Sequence, residues 1–193
     1  MDRRTKEAIR YLGYGKHVID EPTLELIDES FLELERLAEA KYVSAMFALV
    51  TKEDGSLDIG MLNVKSHSLE QNLIQCEKAI LFGATLGIEV DRQLRKYEVT
   101  HIAKAVVLQA CAAAYLEEYC DKIQEQLLKQ LGDSWRFKPR FSPGYGDFSI
   151  QYQDEILRMI DAQKTIGLSL TEGKMLTPSK SITAVIGMYN TKE

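Results

Sequence analysis

From about Glu98 to Leu131 the chain runs without a proline or glycine, and this stretch limits what the remainder can become. Its apolar positions Ile102, Val106, Ala110, Ala113, Leu116, Cys120, Ile123 and Leu127 recur close to every 3.6 residues. Lys104, Glu118, Lys122, Glu125 and Lys129 fall largely off that face. The spacing predicts one long amphipathic helix, with Gly132 as its stop. The flanking segments read differently. YVSAMFALV, Tyr42 to Val50, and LDIGMLNV read as two strands joined across TKEDGS, with Asp54-Gly55 as the turn, so a hairpin is expected. KAILFGATLG centres on a buried strand ending at Gly83 or Gly87.

Shorter elements complete the pattern. A first helix over Arg3 to Leu12 stops at Gly13 to Gly15. A second starts near Pro22, a residue suited to a first turn, with Leu24, Ile27, Phe31, Leu34 and Leu37 or Ala38 as its stripe. A short helix is expected over Ser68 to Gln75, a loop over 132–147, a helix from about Ile150 to Lys164, and strands at GLSL and SITAVIGM around the loop TEGKMLTPSK. The hairpin argues against a regular βαβ winding. The expected fold is α+β, a largely antiparallel twisted sheet with packed helices, including one long central helix. A single domain over 1–193 is expected, with an N-terminal helical region at 1–40 and a sheet-and-helix core at 41–193.

Composition narrows the function classes. A net charge of -5 gives no general attraction for nucleic acid. The N-terminus, MDRRTKEAIRYLGYG, has no apolar signal core, and no window approaches the ~18 apolar residues of a membrane span, so the reading is a cytoplasmic protein without membrane contact. Between Asp20 and Glu39 eight acidic residues stand against one arginine, which reads as a solvated helix face. Cys76, Cys111 and Cys120 are an odd, sparse set, read as reduced thiols. Cys111 and Cys120, nine residues apart on one helix, project from nearly opposite sides of it.

Familiar catalytic patterns are missing. His17, His67 and His101 are isolated, with no H-E-x-x-H, no zinc-spaced cysteine pair and no G-x-S-x-G elbow. GYGKHV and GATLG complete neither G-x-G-x-x-G nor a P-loop and read as caps or turns. No metal site and no catalytic side chain are expected, and no Asp-x-His-x-x-Gly run supplies a lower ligand to cobalt.

One loop stands out. PRFSPGYGDFS, Pro139 to Ser149, combines two prolines, two glycines and Arg140 in a run that suits neither helix nor strand. Such a loop holds a set shape with backbone open to close approach, beside a planar guanidinium able to hold a carboxylate bidentately. Either it is a well-made turn or it is a ligand cradle.

The stretch from Arg140 to Met188 resembles the C-terminal activation (reactivation) domain of cobalamin-dependent methionine synthase. Its ordered features are Arg140, Pro143, Gly144 and Tyr145, then Gly167, Leu170, Thr171 and Glu172, then Met175, Pro178 and Ser181. LFGATLGIEVD and YLEEYCD extend a weaker match, so the resemblance covers about residues 75 to 188. It implies an S-adenosylmethionine-binding activation subunit supporting reductive methylation of cob(II)alamin to methylcobalamin. The cobalamin would be carried by a separate methionine synthase subunit, with an electron donor such as flavodoxin. It further implies that Arg140, Ser142, Pro143, Gly144 and Tyr145 form the S-adenosylmethionine cradle, with Tyr145 offering a flat apolar face and a polar tip.

Departures from the family qualify that implication. The larger enzyme also carries homocysteine, folate and cobalamin domains, for which 193 residues leave no room, so docking on a cobalamin-bearing partner is expected. Where the family places an acidic residue near the ligand's ammonium, this chain has Ala113, with Glu117 one turn later as the substitute. Family sequences continue past the last strand, whereas this one ends at Glu193, leaving Tyr189 as a stand-in contact. Thr177 to Ser181 reads either as a loop near the ligand or as a simple strand entry. Two rival readings remain: a docking or structural module that has lost ligand binding, and an activator of another corrinoid methyltransferase.

Overall fold

A strand of seven consecutive buried residues, Ala79 to Thr85, belongs at the centre of a sheet covered on both faces. The computed structural model, which describes residues 1–14 and 19–191, puts it there. His17 and most of the GYGKHV segment lie outside the described residues. This strand, β4 (Lys78–Thr85), is flanked by β1 (Lys41–Thr51) and β8 (Ser181–Asn190). Beyond β1 lie β2 (Leu57–Ile59) and β3 (Leu62–Val64), and beyond β8 lies β5 (Trp135–Phe137). The order is β3-β2-β1-β4-β8-β5, with every neighbouring pair antiparallel. A separate small hairpin pairs β6 (Ser169–Leu170) with β7 (Leu176–Thr177).

The period-2 alternation of the central strands sorts the molecule into layers. Ile80, Phe82 and Ala84 of β4, with Ile186 and Met188 of β8, face one cluster. Its helical members are Ala8 of α1 (Arg3–Tyr11), Phe31 of α2 (Glu21–Leu37), Leu94 of α4 (Ile88–Thr100) and Leu108 of α5 (Ile102–Leu131). Ala79, Leu81 and Val185 face the other way. They pack on Leu69 of α3 (His67–Asn72), Ile156 of α6 (Gln153–Met159) and Ile166 of α7 (Ala162–Ile166). Each fully buried Phe, Leu or Ile contributes about 1.5–3 kcal/mol, so both layers are needed. No helix among the described residues is long and apolar enough to cross a membrane.

The expected α+β fold and long helix are present, with local corrections. The helix expected to start near Glu98 is two helices, because His101 adopts φ -157° and ψ 75° between α4 and α5. Val99 and Thr100 precede the break, and Thr100 Oγ1 donates back to the Lys96 carbonyl at 2.8 Å, a local bond that competes with helix continuation. Ile102 and Val106, assigned to the apolar face, are 66% and 53% exposed, whereas Ala105, Val107 and Leu108 carry the packing at that end. LDIGMLNV is not one strand: it folds on itself as β2 and β3 about Gly60, at φ 59°. The Asp54-Gly55 turn closes the β1–β2 hairpin as expected, with Asp54 accepting from Ser56 N at 3.0 Å and Ser56 Oγ at 2.6 Å.

The helix expected over Ile150 to Lys164 is interrupted too. A 3-10 turn (Ile150–Tyr152) leads into α6, and Asp161, left-handed at φ 49°, separates α6 from α7. The acidic face of α2 is not wholly solvated. Glu33 accepts from Gln93 Nε2 and from Tyr97 O–H, both at 2.8 Å, tying α2 to α4. Cys111 and Cys120 are buried, and burial pushes both thiols up to about 12, as suits unreactive core residues.

Gly187 tests the two-layer account. A Cβ there would lie 2.6 Å from Cys76 Sγ and 2.6 Å from Leu73 Cδ2, so the layer carrying α3 closes on bare backbone. Gly187→Ala is expected to lower unfolding free energy by about 1–3 kcal/mol, measured by urea denaturation, without changing the helix content seen by circular dichroism.

Candidate functional site

The loop after β5 is shaped by where it stops pairing with β8. Lys138 N donates to the Gly187 carbonyl at 2.9 Å, and Phe141 exchanges both backbone bonds with Val185, at 2.9 and 2.8 Å. There the pairing ends and the chain turns outward. Tyr145 N donates to Ser142 O at 3.1 Å, and Gly144 N donates to Phe148 O at 2.7 Å. Gly144 sits at φ 98°, a conformation that a side chain resists, so glycine is required for the turn.

Two anchors fix the loop. Phe148, 1% exposed, stacks on Phe141 and Tyr152 with centroids 6.3 and 5.5 Å apart. Asp147 reaches across to the start of α3, accepting from Ser66 Oγ at 2.6 Å, His67 N at 2.8 Å and Ser68 N at 2.9 Å. The Ser66 hydroxyl first, then the two backbone N–H groups, hold its carboxyl well below the usual carboxylate range.

Because pairing stops at Phe141, the lower part of β8 keeps a free edge. Alternation along an antiparallel strand points the backbone groups of Thr183 the same way as those of Val185, toward the space the loop has left. That space is a groove of about 430 Å³, within the ~300–1,000 Å³ range of small-molecule sites. Ala113, Leu116 and Glu117 of α5 form one wall, Ser142, Pro143 and Tyr145 another, Met175 and Leu176 a third, and Lys180 to Thr183 the base. Tyr145 is 58% exposed and meets Phe141 edge-on at 6.1 Å, leaving a ring face open.

The structure thus brings Glu117, Ser142, Pro143 and Tyr145 together in one groove. Gly144 shapes the turn behind them without lining it. Arg140 lies alongside, lining two adjoining depressions of about 680 and 510 Å³ that share Glu117 and Tyr145. Its side chain is 12% exposed. One guanidinium nitrogen donates to Glu117 Oε2 at 2.6 Å and Asp121 Oδ1 at 2.9 Å, and the other donates to Gln124. Arg3 adds a second cation to Asp121 at 2.7 Å. The donors that sequence reasoning reserved for a ligand carboxylate therefore meet protein acceptors here, and Arg140 holds Glu117 in place.

Tyr189 lies elsewhere. It pairs in register with Arg136, with the Lys138 ammonium 5.2 Å above its ring, and is not among the groove-lining residues. Thr177 to Ser181 does reach the groove, through Ser179, Lys180 and Ser181. Sequence reasoning missed Gln153 and Thr183 as lining residues and Asp147 as the anchor, and reached Lys180 only as part of the segment Thr177 to Ser181. Asp147 adjoins the Pro-Gly-Tyr-Gly loop and had that positional signal. Gln153 had none, because it seats Thr183 Oγ1 at 3.1 Å from another element.

No protein-family model and no curated protein matches the sequence. Among solved structures, the chain is similar to the crystal structure of the MetH reactivation domain bound to AdoHcy. The TM-score is 0.64 at 15% identity, over 90% of this chain and 67% of that one. The likeness establishes a shared fold: helices packed on an antiparallel sheet, with one long helix beside it.

The Asp147 anchor makes a measurable prediction. Because its folded pKa is depressed, its contribution is present above the unfolded carboxylate value of 3.8 and is lost only as pH falls toward the depressed value. Hydrogen-exchange protection at the His67 and Ser68 amides is expected to persist from pH 7 to pH 4. In Asp147→Ala both amides are expected to lose protection at all pH values, with the β4 amides unchanged.

Proposed function

We propose that this chain is an S-adenosylmethionine-binding activation subunit of cobalamin-dependent methionine synthase, supporting reductive methylation of cob(II)alamin to methylcobalamin on a cobalamin-bearing partner. One observation carries the reading. The Arg140–Tyr145 loop, Glu117 and the free edge of β8 converge on one ligand-sized groove, in a fold shared with a reactivation domain whose bound ligand is AdoHcy.

The residues present fit such a ligand. Thr183 offers a backbone donor and acceptor of the kind an adenine edge needs, and Tyr145 offers a flat face against which a nucleoside can lie. Ser142 and Pro143 give the loop wall a hydroxyl and a rigid apolar surface. Glu117, fixed by Arg140, presents negative charge toward an ammonium or sulfonium. Gly144 sets the turn that carries them. When bound, the sulfonium supplies an already activated methyl group. The protein's own part is then to bind, orient and screen it from water, with no general base required. Methyl transfer depends on the cobalamin-bearing partner and an electron donor such as flavodoxin, so the isolated chain is expected to bind without turning over.

The engaged state of Arg140 favours a second reading, a docking module of the same fold that binds no ligand. Calorimetric titration separates the two. Under the proposal, wild type binds S-adenosylmethionine in the micromolar range. Tyr145→Ala, at an exposed position, weakens it by about 0.5–1.5 kcal/mol. Arg140→Ala, which releases Glu117, weakens it by about 1.5–3 kcal/mol. No heat and no thermal shift at millimolar ligand would leave the docking module.

A further inference from the structure

Lys180 is the unusual charge of the groove. The residue is 9% exposed, and among the described residues its ammonium makes no hydrogen bond or ion pair. Asp91, itself 5% exposed, exerts the nearest favourable field. Each Asp91 oxygen already accepts one bond, from Ser179 N at 2.7 Å and from Ser179 Oγ at 2.8 Å. Burial consequently lowers the Lys180 pKa, with the Asp91 field opposing it only in part. The other lysine of this groove, Lys174, is paired with Asp154.

The backbone holds Lys180 on the groove wall. Its carbonyl accepts from Leu86 N at 2.9 Å, Asp91 secures Ser179 before it, and Ser181 Oγ after it donates to the Pro178 carbonyl at 2.6 Å. The stem therefore starts from a fixed point beside the groove. The stem is buried while the ammonium keeps contact with solvent at the groove, so an incoming carboxylate finds there a cation without a protein partner. Arg140 is placed differently: three of its five N–H donors go to Glu117, Asp121 and Gln124, and it lines the adjoining depressions rather than this groove.

We propose that Lys180 is the carboxylate-binding residue of this groove: its ammonium receives the α-carboxylate of an amino-acid-bearing nucleoside, while Glu117, held by Arg140, faces that ligand's ammonium. The inference rests on the groove binding an S-adenosyl ligand. It reassigns the carboxylate contact from Arg140 to Lys180 and makes Arg140 a positioning residue.

The test uses the full chain as wild type, Lys180→Met and Lys180→Arg, titrated with S-adenosylhomocysteine and with 5′-methylthioadenosine, which lacks the amino-acid carboxylate. Lys180→Met is expected to weaken S-adenosylhomocysteine binding roughly 10- to 100-fold, with Lys180→Arg recovering most of the loss. Methylthioadenosine affinity is expected to stay within about twofold. Because the ammonium keeps its solvent contact, the ligand-free Tm of Lys180→Met is expected to stay within about 2 °C of wild type. Equal weakening of both ligands would show a packing effect and overturn the proposal. Unchanged affinity with a lowered Tm would mark Lys180 as the structural partner of Asp91 and overturn it as well. Binding of methylthioadenosine by a wild type that rejects S-adenosylhomocysteine would overturn this inference while keeping a nucleoside groove. Binding of neither would overturn the groove reading itself, and this inference with it.

Discussion

The pairing of β4 with β8 is the constraint on which the rest of the molecule depends. Eight residue pairs, Lys78 opposite Met188 through Thr85 opposite Ser181, place two strands side by side with both faces buried. Each face then needs its own apolar cover, which α1, α2, α4 and α5 provide on one side and α3, α6 and α7 on the other. On its outer edge β8 is paired only above Phe141. An unpaired edge within a domain leaves backbone donors and acceptors to satisfy, and here the loop, the β6–β7 hairpin and α5 leave a groove beside it. Site and core are two consequences of one strand pairing.

Around the groove the electrostatics divide between two cations with different duties. Arg140 is planar and spends three of its five N–H donors on protein acceptors, so it acts as a brace between the loop and α5. Lys180 is a point charge on a flexible stem with its ammonium unspent. A brace and a receptor are different tasks, and a guanidinium suits the first because its fork can tie Glu117, Asp121 and Gln124 at once. The oppositely charged Glu117 and Lys180 match a zwitterionic amino-acid tail better than either alone.

Much of this was legible in the chain. The continuous apolar run of KAILFGAT, the Asp54-Gly55 turn and the lower turns of α5 from Leu116 to Ile123 all follow local rules that tertiary context did not override. The loop from Pro139 to Ser149 was legible for the same reason, since proline and glycine act on their own backbone. Features decided by distant neighbours were not legible. Nor were the break at His101 and the left-handed turn at Asp161, since neither carries a proline or glycine to announce it. Arg140 looked free because nothing local announces Glu117 and Asp121, which arrive from 23 and 19 residues away. Lys180 was legible only as one member of Thr177 to Ser181, because burial of one lysine's stem is a property of the assembled walls.

The central claim is that the groove beside the free edge of β8 binds an S-adenosyl ligand. Amide chemical-shift mapping of the isotope-labelled chain during titration with S-adenosylhomocysteine tests it most directly. The account predicts saturable shifts at Ser142, Gly144, Tyr145, Thr183 and the Ala113–Glu117 turn, with Thr165 and Ile166 of α7, on the opposite layer, unmoved. Shifts centred on any other surface, or none at millimolar ligand, would contradict it.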